Sequence, residues 1–230
     1  VWLFSFAILI TMIKFDIITI FPRIFDSYFS ESILKRAQEK RLIKVVAHNL
    51  RDFTTDKHHK VDDKPYGGGP GMVFKIEPIY RAVQFLKSKV KSKKSKVRTI
   101  LFSTRGKKFD AKTAKRLSRY DQLILICGRY EGVDERAAKY IADEEISMGD
   151  YVLSGGELPA MILVDAVSRQ IPGVLGKLES LEEKRGSFPA YTRPEEFRAK
   201  VKGKREKVWR VPKVLLSGSH KNIEKWRQNR

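Results

Sequence analysis

The sequence predicts an α/β fold, with a mostly parallel sheet and helices on both faces. Three observations predict it. Apolar, β-branched runs alternate with amphipathic stretches through about residue 170, the pattern of parallel strands joined by crossover helices. The run Gln122–Cys127 (QLILIC) is a buried-type strand, as the centre of a sheet covered on both sides requires. Glycines gather where strands end, at Pro65–Met72, Cys127–Gly132 and Met148–Gly156. In an open α/β sheet, ligands sit outside the carboxyl ends of strands.

Each element follows from its local pattern. Lys14–Phe21 (KFDIITIF) reads as the first strand, ended by Phe21-Pro22. Arg23–Lys40 reads as one amphipathic helix, with Ile24, Phe25, Tyr28, Ile33, Leu34 and Ala37 at near-helical spacing. Ile43–Asn49 is a second strand, and Leu50–Met72 a long polar, glycine-rich loop; loops of that length inside compact domains are usually functional or disordered. Then come a helix at Glu77–Ser88, a strand at Val97–Phe102 and a helix at Asp110–Arg119 with Asp110 near its start. After the strand Gln122–Cys127 follow a helix at Asp134–Ala142, a short strand at Glu144–Met148 and a helix at Glu157–Arg169. Beyond Gly173 the alternation dissolves, and a last helix is expected at Asn222–Gln228.

Composition narrows the function. The chain has 230 residues, 47 Lys+Arg against 27 Asp+Glu, a formal net charge of +20 and 42% hydrophobic residues. It therefore buries a core and favours a polyanionic partner, nucleic acid before membrane. Residues 84–119 hold 14 Lys+Arg and one acid, and residues 193–230 hold 13 and four. Those two blocks carry the whole excess, which reads as a phosphate-binding footprint. The single cysteine, Cys127, excludes an internal disulfide and a cysteine-based zinc site, and a reducing, cytoplasmic setting follows. Val1–Ile13 is apolar but too short for a membrane helix, which needs about 20 residues, so no membrane partner is expected.

Several chemistries are excluded by motif. There is no G-x-x-x-x-G-K-[ST], no G-x-G-x-x-G and no G-x-S-x-G. The four histidines lack H-E-x-x-H spacing, so no metal site is expected. Arg129, Glu131, Asp134, Asp150, Glu157, Asp165 and Arg169 stand near the glycine clusters. Asp165 and Arg169, four apart on a helix, also fit a simple ion pair. Transfer of an alkyl group from a donor carrying its own leaving group needs only positioning, one general base and charge stabilisation.

Six blocks carry a resemblance: Arg51–Met72 (RDFTTDKHHKVDDKPYGGGPGM), Cys127–Arg136 (CGRYEGVDER), Ser147–Ala160 (SMGDYVLSGGELPA), Asp165–Gly176 (DAVSRQIPGVLG), Tyr191–Pro194 (YTRP) and Val211–His220 (VPKVLLSGSH). From Met12 to its end the chain resembles the bacterial tRNA (guanine-N1)-methyltransferase family, TrmD, of the SPOUT class. The resemblance implies transfer of a methyl group from S-adenosylmethionine to N1 of the guanosine 3′-adjacent to the anticodon, position 37 of tRNA. It implies a trefoil knot at the end of the α/β domain, a small mostly helical C-terminal domain, and a homodimer with active sites at the interface. Mg²⁺ is a further cofactor candidate.

By resemblance, Leu101, Phe102, Ser103, Gly128, Met148, Gly149, Asp150, Tyr151, Val152 and Leu153 would hold the cofactor, with Gly155 and Gly156 closing the knotted loop over it. Guanine N1 carries a proton, and charge builds on O6 as that proton leaves; a cation there is worth most in a dry site. The resemblance assigns that cation to Arg169 and places Glu131 near the reacting groups. The family's general base is an aspartate of the linker. Here the linker reads Glu179–Phe188 (ESLEEKRGSF), with Lys184 or Gly186 at the aspartate position depending on the alignment. Glu182 and Glu183 are the nearest acids, and Glu183 is taken as the candidate base. A competing expectation is a tRNA-binding and cofactor-binding relative that lacks efficient catalysis because the aspartate is gone.

The expected organisation is an extension over residues 1–11, not native to the protein or preceding the true start at Met12; a methyltransferase domain over 12–176; a linker over 177–194; and a small basic tRNA-binding domain over 195–230.

Overall fold

The computed structural model describes residues 12–90, 92–176, 188–199 and 207–228. The expected 1–11 extension and most of the expected linker, including Glu182, Glu183, Lys184 and Gly186, lie outside the described residues. The chain divides between residues 178 and 179 into two compact units.

The first unit is built on a five-stranded sheet in the order β2-β1-β6-β5-β7, every neighbouring pair parallel. Its strands are β1 (Ile13–Thr19), β2 (Ile43–Asn49), β5 (Val97–Lys108), β6 (Gln122–Ile126) and β7 (Glu144–Ser147). The alternation of side chains along a strand serves two cores. Phe15 and Ile17 of β1 and Leu123 and Leu125 of β6 join one cluster, with Phe29 of α1 (Asp26–Phe29), Leu34 of α2 (Ser32–Glu39), Leu117 of α4 (Ala111–Leu117) and Leu163 of α6 (Glu157–Ser168). Ile18, Ile124 and Ile126 face the other side, under α3 (Ile76–Ser88) and α5 (Glu135–Tyr140). In α3 the buried residues Ile79, Ala82, Val83 and Leu86 fall at i, i+3, i+4 and i+7, one stripe toward the sheet. Each fully buried Leu or Ile contributes about 1.5–3 kcal/mol over its exposed state, so these two clusters hold the helices on.

Helix starts are fixed locally. The Asp110 carboxylate accepts from the Thr113 amide at 2.7 Å and caps α4. Asp134 accepts from the Arg136 amide at 2.9 Å and caps α5. Such caps are worth about 0.5–2 kcal/mol. The one acid in the centre of the sheet, Asp16, has no exposed surface. Its carboxylate meets His48 Nε2 at 2.7 Å, Lys14 Nζ at 2.9 Å and Gln122 Nε2 at 2.7 Å. Burial favours its protonated form, but these three donors outweigh burial and hold the carboxyl below its ordinary value.

Three local expectations are corrected. The Arg23–Lys40 helix is broken into a 3-10 turn (Pro22–Phe25), α1 and α2; the Ser30 hydroxyl donates to the Asp26 carbonyl and stops α1. The Leu50–Met72 loop contains a 3-10 turn (Leu50–Phe53) and the strand β3 (Asp62–Asp63), which pairs antiparallel with β4 (Val73–Phe74). The strand expected to end at Phe102 continues to Lys108, with its register against β7 shifting between Phe102 and Lys107, so that Ser103–Gly106 form a bulge.

The second unit holds an antiparallel hairpin, β8 (Glu196–Ala199) with β9 (Lys207–Arg210), followed by α7 (Lys213–Leu216) and α8 (His220–Gln228). Its described part is thus mixed rather than mostly helical. The sequence hides the hairpin because its strands are four residues each and rich in charge.

Candidate active site

A cavity of about 520 Å³ opens beside the bulge of β5 and the carboxyl ends of β6 and β7. Three segments wall it: Leu101–Arg105 at the β5 bulge, Gly128–Val133 after β6, and Ser147–Met148 with Tyr151–Gly156 after β7. Gly156 donates its amide to the Gly128 carbonyl at 2.9 Å, tying the second and third walls together. A Cβ on Gly156 would stand 2.6 Å from the Cys127 Cα, so only glycine lets the two backbones meet this closely. Cys127 itself is buried, and burial pushes its thiol well above the ordinary range.

The expected residues separate on this geometry. Leu101, Phe102, Ser103, Gly128, Glu131, Met148, Tyr151, Val152, Leu153, Gly155 and Gly156 all line the cavity. Gly149 and Asp150 do not; Asp150 points outward into an ion pair with Lys108, and Gly149 packs under the Tyr151 ring. Arg169 does not line it either. The cavity lies at the start of α6 and Arg169 follows its last residue, about 18 Å along the axis at 1.5 Å per residue. Glu183 is outside the described residues.

One glycine cluster has a different job from the one expected. Pro65–Met72 is absent from this cavity's lining and sits between β3 and β4. It braces the wall from behind: the Glu131 amide donates to the Met72 carbonyl at 3.1 Å, and Phe74 and Gly132 bond at 3.1 Å.

Arg129 and Glu157, singled out beside the glycine clusters, meet: Arg129 donates to Glu157 at 2.9 Å and stacks over the Phe21 ring with its guanidinium carbon 4.8 Å from the centroid. Other wall residues went unrecognised in the sequence. Arg105 and Glu135, both exposed, pair at 2.6 Å across two walls. Glu145 also lines the cavity, and its Oε2 is buried without a hydrogen-bond partner among the described residues. Alternation in β7 was the available signal for Glu145, since Ile146 enters the core and its neighbours face the other way. Gly106 was the signal for the bulge: a Cβ there would stand 2.6 Å from the Glu145 carbonyl carbon.

The volume suits a small-molecule ligand, since such pockets run about 300–1,000 Å³. Its lining joins apolar Leu101, Phe102, Val152 and Leu153 to Ser103, Glu131 and Glu145. Among the described residues no group of three or more His, Cys, Asp or Glu is placed to hold a metal ion, and no helix is long and apolar enough to cross a membrane.

A family model described as tRNA (Guanine-1)-methyltransferase TrmD matches residues 13–230. A tRNA (guanine-N(1)-)-methyltransferase of Carboxydothermus hydrogenoformans is 50% identical over 220 residues, covering 94% of this chain and 81% of that one. Its counterpart in Dictyoglomus turgidum is 51% identical over 222 residues, covering 94% and 84%. Among solved structures, the tRNA (m1G37) methyltransferase from Aquifex aeolicus superposes with a TM-score of 0.76 at 40% identity, covering 94% of this chain and 90% of that one.

Proposed function

From the premise that the chain belongs to the tRNA (guanine-1)-methyltransferase family, TrmD, we propose that it moves a methyl group from S-adenosylmethionine to N1 of the guanosine at position 37 of tRNA. The observation that carries this reading is the cavity beside the β5 bulge and the carboxyl ends of β6 and β7, walled by the glycine-containing segments that the resemblance assigns to the cofactor. The name of the Aquifex aeolicus structure, a tRNA (m1G37) methyltransferase, supports that position. Relatives near 50% identity bearing the enzyme's name do not favour a non-catalytic binder.

The bound cofactor would supply an electrophilic methyl carbon on a sulfonium. The chain's own residues then divide the work. Gly128, Met148 and Tyr151–Leu153, which line the cavity, would hold the cofactor largely through their backbone, and Leu101 and Phe102 would exclude water from it. Glu131, an exposed residue of the lining, would stand near the reacting groups. Glu183 removes the N1 proton, and Arg169 neutralises the charge that grows on O6. A trefoil knot closed by Gly155 and Gly156 belongs to this reading. Mg²⁺ is assigned no protein ligand.

The same reading calls for a homodimer. α6 buries Pro159, Ala160, Leu163, Val164 and Val167, yet its outer face also carries Leu158 and Ile162, 52% and 44% exposed. A helix apolar on both sides is one that becomes covered. Phe21, Ile24 and Tyr28 extend that apolar surface beside it, and Arg169 ends the same helix face. A second copy seated there would carry one protomer's Arg169 toward the other's cavity.

The test is tritium transfer from labelled S-adenosylmethionine to an unmodified tRNA transcript with guanosine after the anticodon, against a transcript with adenosine at that position. Label in the guanosine transcript alone is expected. No label, with cofactor and tRNA both bound, would overturn the reading.

A further inference from the structure

The hairpin of the second unit displays an aromatic pair where a small unit would be expected to hide one. Phe197 and Trp209 are directly opposite each other in the β8–β9 register. Their rings stack, with centroids 5.6 Å apart and planes 29° from parallel. They are nevertheless 52% and 55% exposed. Side chains alternate along a strand, so the next rung on the same face is Ala199 opposite Lys207. Glu196 and Arg210 occupy the opposite face and satisfy each other at 2.6 Å. One face is thus self-paired and charged; the other is an open aromatic plane beside a lysine.

Resting on the tRNA reading above, we propose that Phe197 and Trp209 form a stacking platform for an unpaired base of the tRNA. Charge chooses this occupant. Residues 193–230 carry 13 Lys+Arg against four acids, and a protein interface of that size is depleted in lysine at its centre. Single-stranded nucleic acid is held by the opposite combination, a positive surface that tracks phosphates and aromatic planes that take bases. RNA is read in its loops, where unstacked bases lie against aromatic side chains. A phosphate on the Lys207 rung and a base on the Phe197–Trp209 rung would follow the hairpin in step.

The experiment uses the full chain and an unmodified tRNA transcript with guanosine after the anticodon. Binding is measured across a range of salt, with tryptophan emission recorded on the same samples. Trp209→Ala and Phe197→Ala are expected to weaken binding at least fivefold with the salt slope unchanged, because stacking releases no counterions. Lys207→Ala is expected to flatten the slope by close to one phosphate's worth. Trp209→Phe keeps an aromatic plane and the hairpin, so it should bind within threefold of the wild type while losing the Trp209 share of any emission change on tRNA binding, the other two tryptophans of the chain being unaltered. Binding within twofold of wild type for both alanine variants would overturn the platform, as would a change of oligomeric state without a change in tRNA affinity, which would give the face to a second copy. A wild-type chain that binds cofactor but no tRNA would overturn the functional reading, and the platform with it.

Discussion

Arg129 Nε donates to Glu157 Oε2 at 2.9 Å, joining the loop after β6 to the first turn of α6. The other oxygen of Glu157 accepts from Thr19 Oγ1 at 2.8 Å, at the end of β1. Glu157 is 1% exposed. One buried carboxylate therefore fixes three elements around the cavity. Glu157→Ala should destabilise the chain by about 3–5 kcal/mol, because it strands a half-buried guanidinium. Glu157→Gln, which keeps the shape and one acceptor, should cost less. Urea midpoints of the two variants check the order.

Gly156 and Gly67 make opposite predictions from the same substitution. At Gly156 a Cβ meets the Cys127 backbone at 2.6 Å, so Gly156→Ala must push two walls apart. It should cost about 1–3 kcal/mol by overpacking and weaken cofactor binding. Gly67 has φ +86° and open space around it, so Gly67→Ala should cost about 1–2 kcal/mol through backbone strain alone and leave cofactor binding unchanged. Thermal unfolding and cofactor titration separate the two.

Acid should find Asp16. Its folded carboxyl lies below the ordinary value despite burial, held there by His48, Lys14 and Gln122. A depressed acid contributes stability that is fully present above its unfolded value of 3.8 and is lost as pH falls through the folded one. Stability measured by urea unfolding should therefore decline below about pH 4. Asp16→Asn should lower the plateau by about 3 kcal/mol and flatten that decline.

Tyr28 should titrate late. Its hydroxyl donates to Asp165 Oδ2 at 2.7 Å. That bond first, then burial and the Asp165 charge, push the phenol up to about 12, against a small opposing pull from Arg169. The protonated phenol is the form the fold favours, so its contribution is complete below pH 10 and lost between there and about 12. Ultraviolet titration should show one phenol near 12, absent in Tyr28→Phe and shifted down in Asp165→Asn.

Catalysis should depend on both halves of a dimer. Arg169→Ala and Glu131→Ala homodimers are each expected to be nearly inactive. Mixed, they should regain activity through hybrids that keep one intact site; no recovery would place both residues in one protomer's site. Glu183→Gln should slow single-turnover methyl transfer more than tenfold, about 1.4 kcal/mol of barrier, and Glu182→Gln much less.

The sheet was legible because its strands are long apolar runs and its helices carry clean stripes, as in Gln122–Ile126 and in α3. The cavity was legible where glycine marks a close approach, at Gly128, Gly155 and Gly156. It was not legible where the wall is made by a register shift: Thr104 and Arg105 line it only because β5 bulges after Phe102. Nor does any pattern reveal that Arg129 and Glu157, 28 positions apart, share a bond, since pairing across loops depends on how the sheet closes. The hairpin β8–β9 escaped for a related reason. Its hydrophobic face is reduced to one aromatic pair, too little for a period-2 signal.

Cys127 gives the molecule an internal clock. It is the chain's sole thiol, 1% exposed, and its backbone is the surface against which Gly156 closes. A thiol reagent can reach it only while the packing around it, the Gly156 contact included, is open, so the labelling rate counts openings rather than measuring intrinsic reactivity. Any molecule that holds the walls together slows the count by the factor 1 + [L]/Kd, roughly a hundredfold at a hundred times Kd. Occupancy of the cavity thus becomes readable as elapsed time, without a turnover and without a label on the ligand.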